Sequence, residues 1–217
     1  DKLEIGGVPF VSHNAKPTRA EAIEYYRRVA MKFDLPIQLY EETKDIQRAE
    51  DHFIITTPKA VYKARNLVLA TGFYDEVNKL HVPGEDLPKV RHYYDDPHPY
   101  FRQHVAVIGA RNSAVDAALE TWRKGAKSVT MIVREPEISP RVKYWARPDI
   151  VNRIEEGSIK AYFEAEVKEV QEQHLIITQK GREFEIKNDF LLALTGYRPD
   201  FTMLEKLGVE LDPANSM

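Results

Sequence analysis

The spacing of hydrophobic and polar positions changes several times along this chain, and each change marks an element. Thr18 and Glu21 form a capping box, after which Ile23, Tyr26, Ala30 and Phe33 recur at helical spacing until Pro36. The pattern predicts an amphipathic helix over 18–34. Short β-like runs at 37–42, 44–47, 53–57 and 61–63 then read as a meander. They lead into NLVLATG, Asn66 to Gly72, an apolar run of buried-strand type.

Residues 73–103, with Pro83, Gly84, Pro88, Pro97 and Pro99, show little periodicity and place a domain boundary near residue 100. Beyond it VAVIG is a short apolar strand. Val115, Ala118, Leu119 and Trp122 mark one face of a helix that Gly125 closes. SVTMIVR, Ser128 to Arg134, is a second buried strand. Pro148 suits the first position of a helix through Ile150 and Ile154, Gly157 ends it, and 158–163 reads as a third strand. Strand-helix alternation of this kind predicts a parallel sheet with crossover helices.

The chain also echoes itself. Residues 42–73 resemble 166–197, with Glu42, Ile46, Gln47 and Gly72 answering to Glu166, Val170, Gln171 and Gly196. Each copy reads as a three-strand meander followed by a buried strand ending in Thr-Gly, at Thr71-Gly72 and Thr195-Gly196. Two similar domains are expected, the first lacking its opening strand and turn. The fold class expected is therefore α/β, a Rossmann-like domain with an inserted β-meander beside an incomplete second domain.

Composition narrows the functional classes. The 217 residues are 43% hydrophobic, enough for one large or two small cores. The 31 basic and 34 acidic residues leave a net charge of -3 with no concentrated basic run, so nucleic acid is not an expected partner. No apolar run approaches the roughly 20 residues of a membrane span, and DKLEIGG has no signal-peptide core, so a cytoplasmic protein is expected. The absence of cysteine excludes a disulfide framework, a zinc-cysteine site and thiol chemistry by these residues. A start at Asp1 and an end on DPANSM suggest a fragment of something longer.

The candidate chemistry lies in GARNSA. In a dinucleotide-binding turn the first glycine permits the sharp reversal, the second a close approach to pyrophosphate, and the third close helix-strand packing. Gly109 fills the first role and Ala114 the third, but Arg111 stands at the second. Either the turn uses ordinary backbone angles there or the pyrophosphate sits farther out, and a guanidinium can fork two charge-assisted bonds to phosphate. The helix N-terminus at Asn112 and Ser113 offers free N–H groups. The second strand ends in Arg134, with Arg141 and Lys143 behind it, where an NAD-binding chain tends to place an acid, and this suits the 2'-phosphate of NADPH. The plain alternatives are a strand-turn-helix without ligand and a solvated basic loop, and Glu135 beside Arg134 complicates the cluster. His92, His98 and His104 lack metal-like spacing, Ser12-His13 and Ser113 lack a GxSxG elbow, and Tyr93, Tyr94, Tyr100 and Phe101 are expected to pack.

Taken together, LEIGGVPFVSHNAKPTRAEAIEYYRRV, GARNSAVDAAL, ISPRVKYWARPDIVNRIEEGSIKAYF and LLALTGYRPD resemble the thioredoxin-reductase-like pyridine nucleotide-disulfide oxidoreductases, and within them the bacillithiol-disulfide reductase group. In that group a basic residue often replaces the second glycine. The resemblance implies two Rossmann-like domains, for FAD and NADPH, with hydride passing from NADPH to flavin and on to a low-molecular-weight disulfide. It implies a partial FAD domain over 1–101, an NADPH domain over 102–200 and the start of a return to the FAD domain over 201–217. The family's N-terminal flavin GxGxxG, its C-terminal flavin segment and the thioredoxin-reductase CxxC do not occur in this sequence; YYDDPHPYFRQ stands where CxxC would be. Carried over, Gly109, Arg111, Asn112, Ser113 and Ala114 would cradle the NADPH pyrophosphate, and Arg134 with Arg141, Lys143 nearby, would face its 2'-phosphate. Thr195, Gly196 and Tyr197 would border the nicotinamide, and Thr71 and Gly72 the flavin nucleotide. No catalytic residue is expected in this chain, which would bind NADPH without turning over alone; a small-molecule disulfide is the expected partner, and a homo-oligomer stays open.

Two other readings stand beside it. HYYDDPHPYFRQHVAVIGARNSAVDAA also resembles flavin monooxygenases, although Asp86 and Pro88 stand where Phe and Gly of their FxGxxxH fingerprint would precede His92. The second is a nucleotide-binding module without chemistry.

Overall fold

A computed structural model describes residues 3–13, 17–72, 74 and 76–210, so Phe73 of the first echo copy and the end of the 201–217 segment lie outside it. The chain divides into two compact units, Asp1–Val68 and Leu69–Met217.

The first unit opens with a hairpin of β1 (Glu4–Ile5) and β2 (Val8–Pro9), followed by α1 (Arg19–Lys32). The capping box forms as expected: Glu21 N–H donates to Thr18 Oγ1 at 3.2 Å, and Thr18 N–H to Glu21 Oε2 at 2.7 Å. These bonds satisfy donors the first helical turn cannot pair internally. That backbone bond, then the Ser12 and Thr18 hydroxyls, holds the Glu21 carboxyl down at about 2. A carboxylate depressed in the folded state contributes stability that is present above its ordinary value and lost as pH falls through its folded value. The α1 cap is therefore expected to weaken between about pH 4.5 and 2. A Glu21 carboxyl titration by NMR with its midpoint near 2, moved back toward the ordinary range in Thr18→Ala, checks this.

The buried face of α1 differs from the one expected. Tyr25 and Val29 are buried, whereas Ile23, Tyr26 and Phe33 are exposed. The cause is local, because Tyr25 donates its hydroxyl to Val8 O at 2.9 Å and meets the Phe10 ring edge-on. Strands β3 (Asp45–Arg48), β4 (Phe53–Thr56) and β5 (Val61–Ala64) form the expected antiparallel meander. Residues 37–42 and Asn66–Gly72, by contrast, are not strands, and Val68 is 87% exposed. A run apolar on both faces becomes a strand only between neighbours, and none flanks it among the described residues.

The second unit contains β6 (Glu76–Val77), β7 (Val90–Arg91), β8 (His104–Ile108), α2 (Asn112–Arg123), β9 (Ser128–Val133), α3 (Arg147–Glu155) and β10 (Lys160–Phe163). The meander of β11 (Ala165–Val170), β12 (His174–Gln179) and β13 (Arg182–Lys187) follows, then β14 (Phe190–Ala193), β15 (Tyr197–Arg198) and α4 (Thr202–Lys206). All pairs in the sheet β10-β9-β8-β14-β7 are parallel. Its strands are apolar on both faces because both are covered. Val105, Val107, Val129, Met131 and Leu192 pack with α2 and α3 residues, while Ala106, Ile108, Ile132, Leu191 and Ala193 pack against the meander. This is the expected α/β architecture.

The sequence places a boundary near residue 100, and within the structure residues 69–101 group with the compact unit that follows them. Two short pairings draw 69–101 into the second unit: β7 joins the edge of the parallel sheet beside β14, and β6 pairs antiparallel with β15. Gly84 then lies against the meander so closely that a Cβ there would come within 1.9 Å of Val170 O. The Lys89 ammonium donates to Gln171 O, Glu172 O and Asn188 O, and burial pushes its pKa down. Among the described residues no helix is long and apolar enough to cross a membrane.

Candidate nucleotide site

Chain order sets the place of the site. From β8 the sheet grows one way through β9 and β10, and the return strand β14 inserts on its other side. The carboxyl ends of β8 and β14 are thus the switch point, where open α/β sheets form a crevice.

Gly109 occupies that point with φ +124°, and a Cβ on it would meet Leu194 O at 2.8 Å and Ala114 Cβ at 3.1 Å. Both the backbone angle and the space require glycine. Ala114 is buried, so it keeps the helix close to the strand as the third small residue should. Arg111 has φ -103° and ψ -176°, extended backbone that any residue adopts. The first of the two expectations for Arg111 therefore holds: the turn does not need a second glycine. Arg111 is the N-cap of α2, and no side chain caps the helix, nor does an acid lie in its first turn. The N–H groups of Asn112, Ser113 and Ala114 point out of the helix end without intrahelical partners, a positive dipole terminus.

The segment after β9 runs alongside the turn. Ser139 N–H donates to Ala110 O at 3.1 Å, and Lys143 N–H to Asn112 Oδ1 at 2.9 Å. The side chain of Asn112 is thereby engaged in pinning this segment, and only its backbone N–H faces outward. Lys143 Nζ lies 2.6 Å from Asp116 Oδ2, so its charge is matched within the fold. Arg111, Arg134 and Arg141 differ: all three are exposed and have no ion pair or side-chain hydrogen bond among the described residues. Arg123, Arg147, Arg153 and Arg198 are each matched to a carboxylate.

Arg134 and Thr195 line one cavity of about 450 Å³ with Ile108, at the ends of β9, β14 and β8. Lys79 and Lys168 also line it beside Glu166, each within 4.0 Å of a carboxylate of its own, Asp86 and Glu183. Its far wall, from Asn78 to Val82, comes from the proline-rich stretch that shows no periodicity. Asn78 ties the wall to the β14 end: its N–H donates to Gly196 O at 3.0 Å, and its carbonyl accepts from Thr195 Oγ1 at 2.5 Å. The loop itself is fixed by buried Glu85, which accepts the N–H groups of Leu80 and His81 at 2.6 and 2.8 Å. The Asn78 pairings are not signalled locally, since they join the loop to a partner far along the chain chosen by the fold.

Tyr197, and Thr71 and Gly72 of the expected flavin side, are not among the residues that line this cavity. Tyr197 packs its ring against Tyr74 and Tyr93 and directs its hydroxyl to His92 O at 3.4 Å. Thr71 and Gly72 are exposed, and Gly72, with φ +78°, has nothing within 4 Å of where a Cβ would lie. Of the aromatics expected to pack, Tyr94 stacks on Tyr100, whose ring meets Phe190 edge-on, and Tyr93 stacks on Tyr197, whereas Phe101 stays exposed.

The pyridine nucleotide-disulphide oxidoreductase family model matches residues 1–216. The chain belongs to this family. It is 42% identical over 98% of its length to the bacilliredoxin reductase of Bacillus subtilis, covering 66% of that protein. Among solved structures, a bacillithiol disulfide reductase from Bacillus cereus superposes with a TM-score of 0.93 at 42% identity, over 98% of this chain and 67% of the other. A flavin monooxygenase from Stenotrophomonas maltophilia reaches a TM-score of 0.72 at 21% identity, over 98% of this chain and 67% of that one, a likeness of fold alone. The chain thus spans about two thirds of the length of the relatives it matches.

Proposed function

We propose that this oxidoreductase chain is the NADPH-binding part of a flavoprotein that reduces a low-molecular-weight disulfide of the bacillithiol type. The carrying observation is the set of unmatched arginines, Arg111, Arg134 and Arg141, around an uncapped helix end at the switch point of the parallel sheet. Gly109 leaves no side chain between that end and an approaching pyrophosphate. The 42% identity to the bacilliredoxin and bacillithiol-disulfide reductases supports the disulfide class.

In this reading the N–H groups of Asn112, Ser113 and Ala114 hold the pyrophosphate, with Arg111 over it. Arg134 and Arg141 grip the 2'-phosphate, and Thr195 with Gly196 orients the nicotinamide end. The side chains of Asn112 and Lys143 position the 139–146 segment and carry no phosphate themselves. Bound NADPH would supply a hydride, and FAD would pass the electron pair to the disulfide. Thr71 and Gly72 would lie on the FAD side. The protein's own part is binding and orientation.

Calorimetry of this chain with NADPH, NADH and FAD tests the proposal, with a visible spectrum to register bound flavin. NADPH is expected to bind at least tenfold more tightly than NADH, about the effect of one charge-assisted phosphate contact. Binding of neither nicotinamide nucleotide would remove the assignment in favour of a module with another ligand.

A further inference from the structure

The segment that flanks the turn carries an aromatic pair that the phosphate contacts do not use. Tyr144 is 84% exposed and Trp145 49%, with the two rings edge to face at 4.9 Å and 86°. The exposure is not fraying. Lys143 is fixed to Asn112 and Asp116, and Val142 and Ala146 on either side are buried. A rigid backbone thus holds a large ring out in solvent, three residues from Arg141 and one from the residue bonded to Asn112.

We propose that Tyr144 stacks on the adenine of the bound nucleotide, with Trp145 holding its ring upright. This rests on the NADPH reading and deepens it. Adenine is joined to the ribose at C1', next to the C2' that carries the distinguishing phosphate. A nucleotide with that phosphate on Arg134 and Arg141 and its pyrophosphate at Asn112 therefore places its base beside this segment. An exposed tyrosine face suits it, because a base offers a π face of its own.

The test uses the whole chain and two ligands, adenosine 2',5'-bisphosphate and nicotinamide mononucleotide. Trp122 and Trp145 are the two tryptophans, so Trp122→Phe leaves Trp145 as reporter. The bisphosphate is expected to change its emission saturably, and the mononucleotide to leave it unmoved. Tyr144→Ala is expected to weaken bisphosphate and NADPH binding roughly tenfold by calorimetry, with Tyr144→Phe within about twofold of the parent. Parent-like affinity in Tyr144→Ala, or unmoved emission with the bisphosphate bound, overturns the stacking and leaves the NADPH site standing. A parent chain that binds neither the bisphosphate nor NADPH overturns both.

Discussion

Replacing Gly109 with alanine is expected to remove NADPH binding and lower the melting temperature of the second unit. Two costs combine. Alanine must adopt φ +124°, a region L-residues rarely occupy, and its Cβ must sit 2.8 Å from Leu194 O. That oxygen belongs to backbone tied into the sheet through Leu194 N–H to Ile108 O at 3.2 Å, so it cannot swing aside as a side chain could. Strain and overpacking together come to about 3 kcal/mol, a fall of roughly 6–12 °C for a domain of this size. Relief would require β8 and β14 to separate, which would spread the turn and misdirect the N–H groups of Asn112 and Ser113. Gly181→Ala is the matched control: φ is +76° there, with nothing within 4 Å of the added carbon. It is expected to show a smaller loss in melting temperature and no loss of NADPH affinity. A Gly109→Ala chain that melts with its parent and binds NADPH equally would mean that the turn is not the pyrophosphate cradle.

What was legible in the sequence follows a physical division. Strands buried on both faces leave continuous apolar runs, so β8, β9 and β14 announce themselves, and Gly125, Gly157 and Pro148 punctuate the helices between them. The same signal misleads at Asn66–Gly72, where strand character is a property of the residues but strand pairing needs a neighbour the described residues do not provide. The grouping of 69–101 with the second unit is hidden from the sequence for a related reason. β6 and β7 are two residues each, too short for any period, and their attachment depends on partners at 190–198. In the site, the spacing of Gly109 and Ala114 exposes the turn, because close packing restricts which residues fit. Charge alone could not sort the basic residues. Lys143 looks like Arg141 until Asp116, far away in sequence, is seen to neutralise it, and Glu85 gives no sign of its two backbone partners.

Exchanging Arg134 for glutamate is expected to raise the Kd for NADPH roughly 100-fold while changing that for NADH by about threefold or less. A guanidinium bonded to a phosphate contributes about 1.5–3 kcal/mol, and each 1.4 kcal/mol is tenfold in affinity. Reversal adds repulsion, because a carboxylate in place of the guanidinium would face a doubly charged phosphate beside Glu166, which lines the same cavity. NADH has a hydroxyl in that place and loses little. Arg111→Ala separates this effect from a general loss of positive charge. Its guanidinium would sit over the pyrophosphate common to both nucleotides, so both affinities are expected to fall by a similar factor, roughly tenfold. Salt distinguishes them further: these arginines are exposed, so 0.5 M salt in place of a dilute buffer is expected to narrow the NADPH preference of the parent chain. It should leave Arg134→Glu with almost no preference to lose. Equal weakening of NADPH and NADH by Arg134→Glu would place Arg134 on the shared part of the nucleotide, and the basis for NADPH selection would then have to lie in Arg141, the other unmatched arginine behind the second strand.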